Sequence, residues 1–244
     1  MSIFRLFIKV INISPDENFS LKSAEIRKNK DVTIRPMKLE EFDRVAEIYL
    51  NGFRNKYVYL VGEKYLQTAQ NLYIKHLKSD KNIRNGHYVA MVNNEIKGIC
   101  RIRTFKDPEN IFTFDIFKSL LTLPILSLFK ALFSLLTVDY IERCEKNEGY
   151  VDILAVDNTY RGKGIGQSLL SRADEECYKR GCTKISLLVV LSNFRARRLY
   201  EKHGYVPTKL YLGRRIFLFG TEVNNANEII GFFKMEKNLE ALQN

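Results

Sequence analysis

One mixed β-sheet flanked by helices, an α+β fold of the α/β-like kind, is the architecture this sequence predicts. Three stretches carry that expectation. Residues 151–177 pass from an apolar strand-like run, through a glycine-rich turn, into a helical pattern. Residues 185–204 place a run of branched apolar side chains before a short amphipathic helix. Residues 87–104 read as a hairpin, with Asn93-Asn94-Glu95 as the turn between two strands.

In chain order, Leu39 to Phe53 forms an amphipathic helix, because Phe42, Val45, Ala46 and Tyr49 recur at helical spacing. A second helix near Glu63 to Leu77 repeats Leu66, Ala69, Tyr73 and Leu77. His87 to Val92 and Ile96 to Thr104 are the arms of the hairpin. Val151 to Val156 is the next strand, and the helix after it turns Ile165, Leu169, Leu170, Ala173 and Cys177 to one face. Ile185 to Leu191 reads as a buried strand. Ser192 or Asn193 caps the following helix, whose apolar face is Ala196, Leu199, Tyr200 and His203, and Gly204 ends it. Late strands lie near Tyr205–Tyr211 and Ile229–Met235, with Arg215 to Phe219 as a further strand candidate.

The turn from Arg161 to Gly166 suits an anion. Glycines remove the Cβ atoms that block close backbone approach. The first turn of a helix offers unpaired N–H donors at its positive end. Spacing excludes two common phosphate loops. Gly164 follows Lys163 where a Walker loop needs Ser or Thr, and the glycines at 162, 164 and 166 do not make G-x-G-x-x-G. Arg161-x-x-Gly164-x-Gly166 instead matches [QR]-x-x-G-x-[GA], and Asn193-x-x-Ala196-x-x-Leu199-Tyr200-x-x-x-Gly204-Tyr205 matches N-x-x-A-x-x-L-Y-x-x-x-G-[FY]. With these two motifs the chain resembles the GNAT acyltransferases, the Gcn5-related N-acetyltransferases, over about residues 31 to 236.

The resemblance implies Val32 to Pro36 as a first strand and acetyl-CoA as acyl donor. It implies that the N–H groups of Arg161, Gly162, Lys163, Gly164, Ile165 and Gly166 bind the pyrophosphate, with Arg161 and Lys163 adding charge. The main chain of Leu154, Ala155 and Val156 is expected to pair with the pantetheine arm beside a splayed gap, and to polarise the thioester oxygen. Asn193 is expected to contact the same arm, and the Tyr200 hydroxyl to protonate the departing thiolate. The plainer readings are a glycine turn that merely joins strand to helix, and a tyrosine that packs in the core.

Amide formation from a thioester needs a neutral amine, yet a lysine-type amine with pKa ~10.4 is almost wholly protonated at neutral pH. Asp152 is the candidate base. Strand alternation puts it on the face of Leu154 and Val156, where many GNAT members carry an acidic residue. A carboxylate there could also simply orient the acceptor amine, and both roles stay open. Some members that modify protein N-termini carry Glu on the fifth strand, where this chain has Leu188. No Cys or Ser is placed for a covalent intermediate, so direct transfer in a ternary complex is expected. The expected activity is acetyl transfer to a primary amine of a small molecule or peptide. The alternatives are a non-catalytic module that senses acyl-CoA, and an acyltransferase working at a membrane surface.

Composition bounds the partners. The formal net charge of +11 suits acidic partners, coenzyme A, anionic lipid or RNA, although for most of the lysines the plainer reading, a solvated basic surface, is preferred. No aromatic-rich RNA-binding signature accompanies it, so no nucleic acid is expected. Cys100, Cys144, Cys177 and Cys182 lack C-x-x-C spacing and read as reduced thiols of a cytoplasmic protein. His76, His87 and His203 lack paired ligand spacing, so no metal is expected.

The expected organisation is an N-terminal extension, residues 1–30, and one domain, residues 31–244, with an apolar helical insertion at 105–147 between the third and fourth strands. Arg5 and Lys9 interrupt the apolar start, which makes a poor signal-peptide core. Within 111–138, Asp115, Lys118 and Lys130 leave Ser119 to Phe129 as the longest charge-free run, too short for the roughly twenty apolar residues of a spanning helix. Pro124 kinks or divides any helix there. The insertion either packs on its own domain or on a second copy in a homodimer, or it lies on a membrane surface with its apolar face in the headgroup boundary.

Overall fold

The computed structural model describes residues 8–14, 31–79, 85–107, 121, 123–130, 144–214 and 229–240. Its strands are β1 (Ile8–Asn12), β2 (Thr33–Pro36), β3 (His87–Val92), β4 (Glu95–Thr104), β5 (Glu148–Val156), β6 (Lys184–Val190), β7 (Val206–Arg214) and β8 (Ile229–Asn238). They form a single sheet in the order β1-β7-β8-β6-β5-β4-β3-β2. Among the described pairs β5 and β6 run parallel and the others antiparallel. The helices are α1 (Phe42–Gly52), α2 (Arg54–Val61), α3 (Leu66–Ser79), α4 (Ile165–Lys179) and α5 (Phe194–Lys202).

Period-two alternation divides the strands' side chains between two helical layers. Val89 and Ile99 pack with Phe42, Val45, Ala46 and Ile48 of α1 and with Ile74 and Leu77 of α3. Their neighbours Tyr88, Ala90, Cys100 and Ile102 face the other way, against Ile165, Leu169, Leu170, Ala173 and Cys177 of α4. Those five α4 residues are at most 1% exposed, so the larger ones each contribute about 2 kcal/mol of burial. The α4 layer sits close: a Cβ on Gly98 would lie 2.8 Å from Ile165 Cγ2 and 3.1 Å from Leu169 Cδ1.

One irregularity prepares the site. Arg101 opposes Ile153 and Ile102 opposes Val151, so Asp152 is an extra residue, a β-bulge in β5. Ladder pairing of β5 with β6 ends at the same point, its last pair being Val151 with Leu187. A bulge bends its strand and increases the local twist. Here the bend coincides with a splay: Ile153 to Val156 stay paired with β4 while parting from β6.

The expected elements recur with few changes. The strand at 32–36, the hairpin, the two motif helices and both late strands lie where the patterns put them. Ile8–Asn12, assigned to an extension, instead pairs with β7 as an edge strand, so the insertion falls between the fourth and fifth strands of the sheet. Its sequence hides it, because Lys9 and Val10 are exposed and only Ile8 is buried, as suits an edge. Helix α2 was also unforeseen; Arg54–Val61 has little amphipathic order and no side-chain cap. The first predicted helix begins as a 3₁₀ turn, Leu39–Glu41.

Of the insertion, residues 125–130 are helical, while 108–120, 122 and 131–143 lie outside the described residues. Leu123 is buried and Leu128 half-buried against Tyr57, Tyr59 and Leu60, whereas Leu121, Ile125, Leu126 and Phe129 are exposed. The candidate strand at 215–219 also lies outside the described residues. Among them no helix is long and apolar enough to cross a membrane.

Candidate active site

The glycine turn is held at its entrance by Asp157. Its carboxylate accepts from Thr159 N at 3.1 Å, from Thr159 Oγ1 at 2.8 Å and from Arg44 Nη2 at 2.6 Å, while its own N–H donates to Lys97 O at 2.9 Å. This ties the end of β5 to α1 and to the hairpin. A 3₁₀ turn, Asn158–Tyr160, follows, and the chain then reverses through Gly162 (φ +81) and Gly164 (φ +80). Both angles are left-handed, which glycine adopts without strain. Gly164 is the N-cap of α4; it supplies no side-chain cap, and the first turn holds no acidic residue. The opening N–H groups of α4 therefore lack an internal anion. Arg161 and Lys163 are exposed beside them, and Lys163 Nζ lies 4.3 Å from the Tyr160 ring centroid. Ile165 is 1% exposed, so its side chain belongs to the core and only its main chain can face a ligand.

The turn, the splayed strand and α5 converge. A Cβ on Gly166 would lie 3.0 Å from Leu199 Cδ2 and 4.0 Å from Val156 Cγ2. Arg161 Nε donates to Val156 O at 3.3 Å. Leu154, Val156, Ile165, Leu199 and Tyr200 all belong to the α4-side cluster. Asn193 is the N-cap of α5, accepting from Ala196 N at 3.1 Å, which leaves its NH₂ group as a donor. Tyr200 is 8% exposed and its ring lies 6.1 Å from that of Tyr205. Burial, with a smaller effect of Cys100, holds its hydroxyl above the ordinary phenol pKa, so it stays a proton donor at neutral pH. At the end of α5, His203 Nε2 and Asp174 Oδ2 are 3.0 Å apart and Lys237 Nζ reaches the same oxygen at 2.5 Å. That buried network clamps α5 to α4.

Asp152 departs from the alternation argument. The bulge turns it away from Leu154 and Val156 and toward the arginines of β4. Arg101 Nη1 is 2.6 Å from Asp152 Oδ2 and Arg103 Nε 3.4 Å. The three side chains are 12% to 15% exposed. Burial pushes the Asp152 carboxyl up, but Arg103 and Arg101, with His87 and Lys56 beyond them, outweigh it and hold it below the usual value. A tyrosine group roofs this side of the sheet: Tyr49 stacks on Tyr73 at 4.1 Å and bonds the Tyr57 hydroxyl at 2.8 Å, while Tyr73 bonds His87 Nε2 at 3.1 Å. Burial, then the Arg101 charge, lowers His76 to about 4.

Leu154, Val156, Ile165 and Tyr200 thus gather on the α4 face beside the turn, while Asp152 lies across β5 from the turn. The Ala155 side chain packs with the α1 and α3 cluster, so that only its main chain can serve a ligand. Arg44 and Asp157 went unnoticed in the sequence, although an Asp directly after an apolar strand is a recognisable turn cap. Arg101 and Arg103 left no signal, since their pairing with Asp152 depends on register. Among the described residues no three His, Cys, Asp or Glu side chains gather to hold a metal.

Comparison with known proteins bears on this geometry. The sequence model of the Acetyltransferase (GNAT) family matches residues 43–205. N-alpha-acetyltransferase 30 of Saccharomyces cerevisiae is 38% identical over 61 residues, 25% of this chain and 35% of that protein. Mycothiol acetyltransferase of Beutenbergia cavernae is 36% identical over 63 residues, 26% of this chain and 21% of that protein. The aligned stretches span from 17% to 51% of the lengths of such curated relatives. PaiA N-acetyltransferase of Thermoplasma acidophilum, solved with coenzyme A, superposes with a TM-score of 0.50 at 15% identity, covering 85% of this chain and 98% of that one. At that identity the likeness speaks for the fold.

Proposed function

The chain belongs to the GNAT acetyltransferase family, and from that premise we propose that it transfers an acetyl group from acetyl-CoA to a primary amine by direct attack in a ternary complex. One observation carries the reading: the splay of β5 from β6 opens where the glycine turn presents uncapped N–H groups beside Arg161 and Lys163. A ligand with a diphosphate at one end and an extended, amide-bearing arm at the other suits both features. The diphosphate takes the N–H groups of residues 161–166. The pantetheine arm takes the free edge of Leu154 to Val156 as an added strand would.

The chemistry divides across β5. The amine nitrogen attacks the thioester carbonyl carbon, and a main-chain N–H near Ala155 stabilises the oxygen as it gains charge. The C–S bond then breaks, the amide forms, and the thiolate takes a proton from Tyr200, whose hydroxyl is still protonated at neutral pH. Asp152 serves the acceptor side. Held charged by Arg103 and Arg101, it is a weak base and a good hydrogen-bond acceptor. Its part is to hold the incoming amine while that group loses its proton to water.

Sequence relatives named for N-alpha and for mycothiol acetylation act on unlike amines, so the names select no acceptor. The test is release of free thiol from acetyl-CoA across a panel of small and peptide amines. Turnover with at least one amine, lost in Tyr200→Phe, is expected. Tight coenzyme A binding with no turnover for any amine would favour an acyl-CoA sensor instead.

A further inference from the structure

Arg195 is the second residue of α5 and is exposed. It points back to the glycine turn: a Cβ on Gly162 would have the Arg195 Nη2 nitrogen 3.8 Å away and nothing else within 4 Å. Its neighbour Arg197 is tied to Glu201 at 2.7 Å, but no carboxylate pairs with Arg195 among the described residues. The first turn of α5 contains no acidic residue, and neither does that of α4. A cation in the first turn of a helix opposes the macrodipole and is mildly destabilising. Arg161 and Lys163 stand at the same turn. Positive groups are thus collected around Gly162, whose missing side chain leaves the path over it open and whose φ of +81 disfavours any residue that would fill it. Such an arrangement is unfavourable when empty and favourable around a multivalent anion.

We propose that Arg195 closes over Gly162 onto the diphosphate of the acyl donor, as a phosphate contact supplied from the second motif helix rather than from the turn. The assignment rests on the coenzyme A reading above. It joins the two motifs in function: Asn193 caps α5 and so fixes the angle at which Arg195 leaves the helix. A guanidinium suits the task, since its fork of donors can span two phosphoryl oxygens.

Titration calorimetry of the full chain with coenzyme A and with 3′-dephospho-coenzyme A tests the proposal, using Arg195→Gln, and Lys179→Gln at the far end of α4 as a control for net charge. Arg195→Gln should weaken both ligands equally, by about tenfold, as expected for one charged hydrogen bond. The control should match the wild type. The ligand-free melting temperature of Arg195→Gln should hold or rise, since a cation leaves a helix N-terminus; a merely structural arginine would lower it. Unchanged affinity for both ligands would overturn the proposal. So would a loss confined to coenzyme A, which would assign Arg195 to the 3′-phosphate. A wild-type chain that binds neither ligand would instead remove the coenzyme A reading, and this proposal with it.

Discussion

In the proposed mechanism the environment, more than residue type, sets the parts of Asp152 and Tyr200. Asp152 would look like a general base in any strand-pattern argument, yet Arg101 and Arg103 make it a fixed charge. Its folded pKa lies below the unfolded value of about 3.9, so its ion pair stabilises fully above that pH. The stabilisation fades as pH falls through the folded value. Asp152→Asn should therefore cost about 3 kcal/mol in urea unfolding at pH 7, and the deficit should narrow on acidification below about pH 4. A pH-independent deficit would contradict the ion-pair account. Tyr200→Phe should lower kcat about 100-fold in thiol release while coenzyme A affinity holds within about threefold. Comparable losses in kcat and affinity would make Tyr200 a packing residue. The motifs located Asn193 and Tyr200 on α5, because cap and helical spacing are local features. They could not place Asp152, because a bulge is a relation between two strands and leaves no trace in one.

Elements carry the next level of prediction. The α4 layer approaches the sheet over Gly98, so Gly98→Ala forces a methyl against Ile165 and Leu169 and should cost about 1–3 kcal/mol by overpacking, read from denaturant midpoints. In the insertion, Leu123 is buried and Ile125 is 75% exposed. Leu123→Ala should thus destabilise by about 2–3 kcal/mol, and Ile125→Ala should stay within about 0.5 kcal/mol. Equal effects would mean that Ile125 is covered in solution. Long periodic helices and branched strands were readable from sequence because burial dictates their spacing, as in α4 and β6. Helix α2 and strand β1 were not. The first owes its form to packing of Leu60 and Val61 beside Leu123, and the second to hydrogen bonds offered by β7.

Across the whole molecule, the proposed mechanism divides its work between the two faces of the sheet. The α4 and α5 face, with its glycine turn and paired motifs, is the proposed donor side. The α1 and α3 face, with Asp152, the arginines of β4 and the tyrosine roof, is the proposed acceptor side. The splayed end of β5 connects them. Family and fold were legible because the donor side is built from short, contiguous motifs. The acceptor side is assembled from four separate elements, α1, α3, β4 and β5, whose meeting no local pattern records. We infer that main-chain donors at the start of α4 grip a thioester carrier, and on that contact the rest depends. It is tested most directly by titrating coenzyme A into the full chain in a calorimeter at neutral pH. One saturable site per chain, weakened at least tenfold by Gly164→Val at the left-handed N-cap with the fold retained by circular dichroism, is the expected result. Absence of heat with the folded wild-type chain, or undiminished binding in the folded variant, would contradict it.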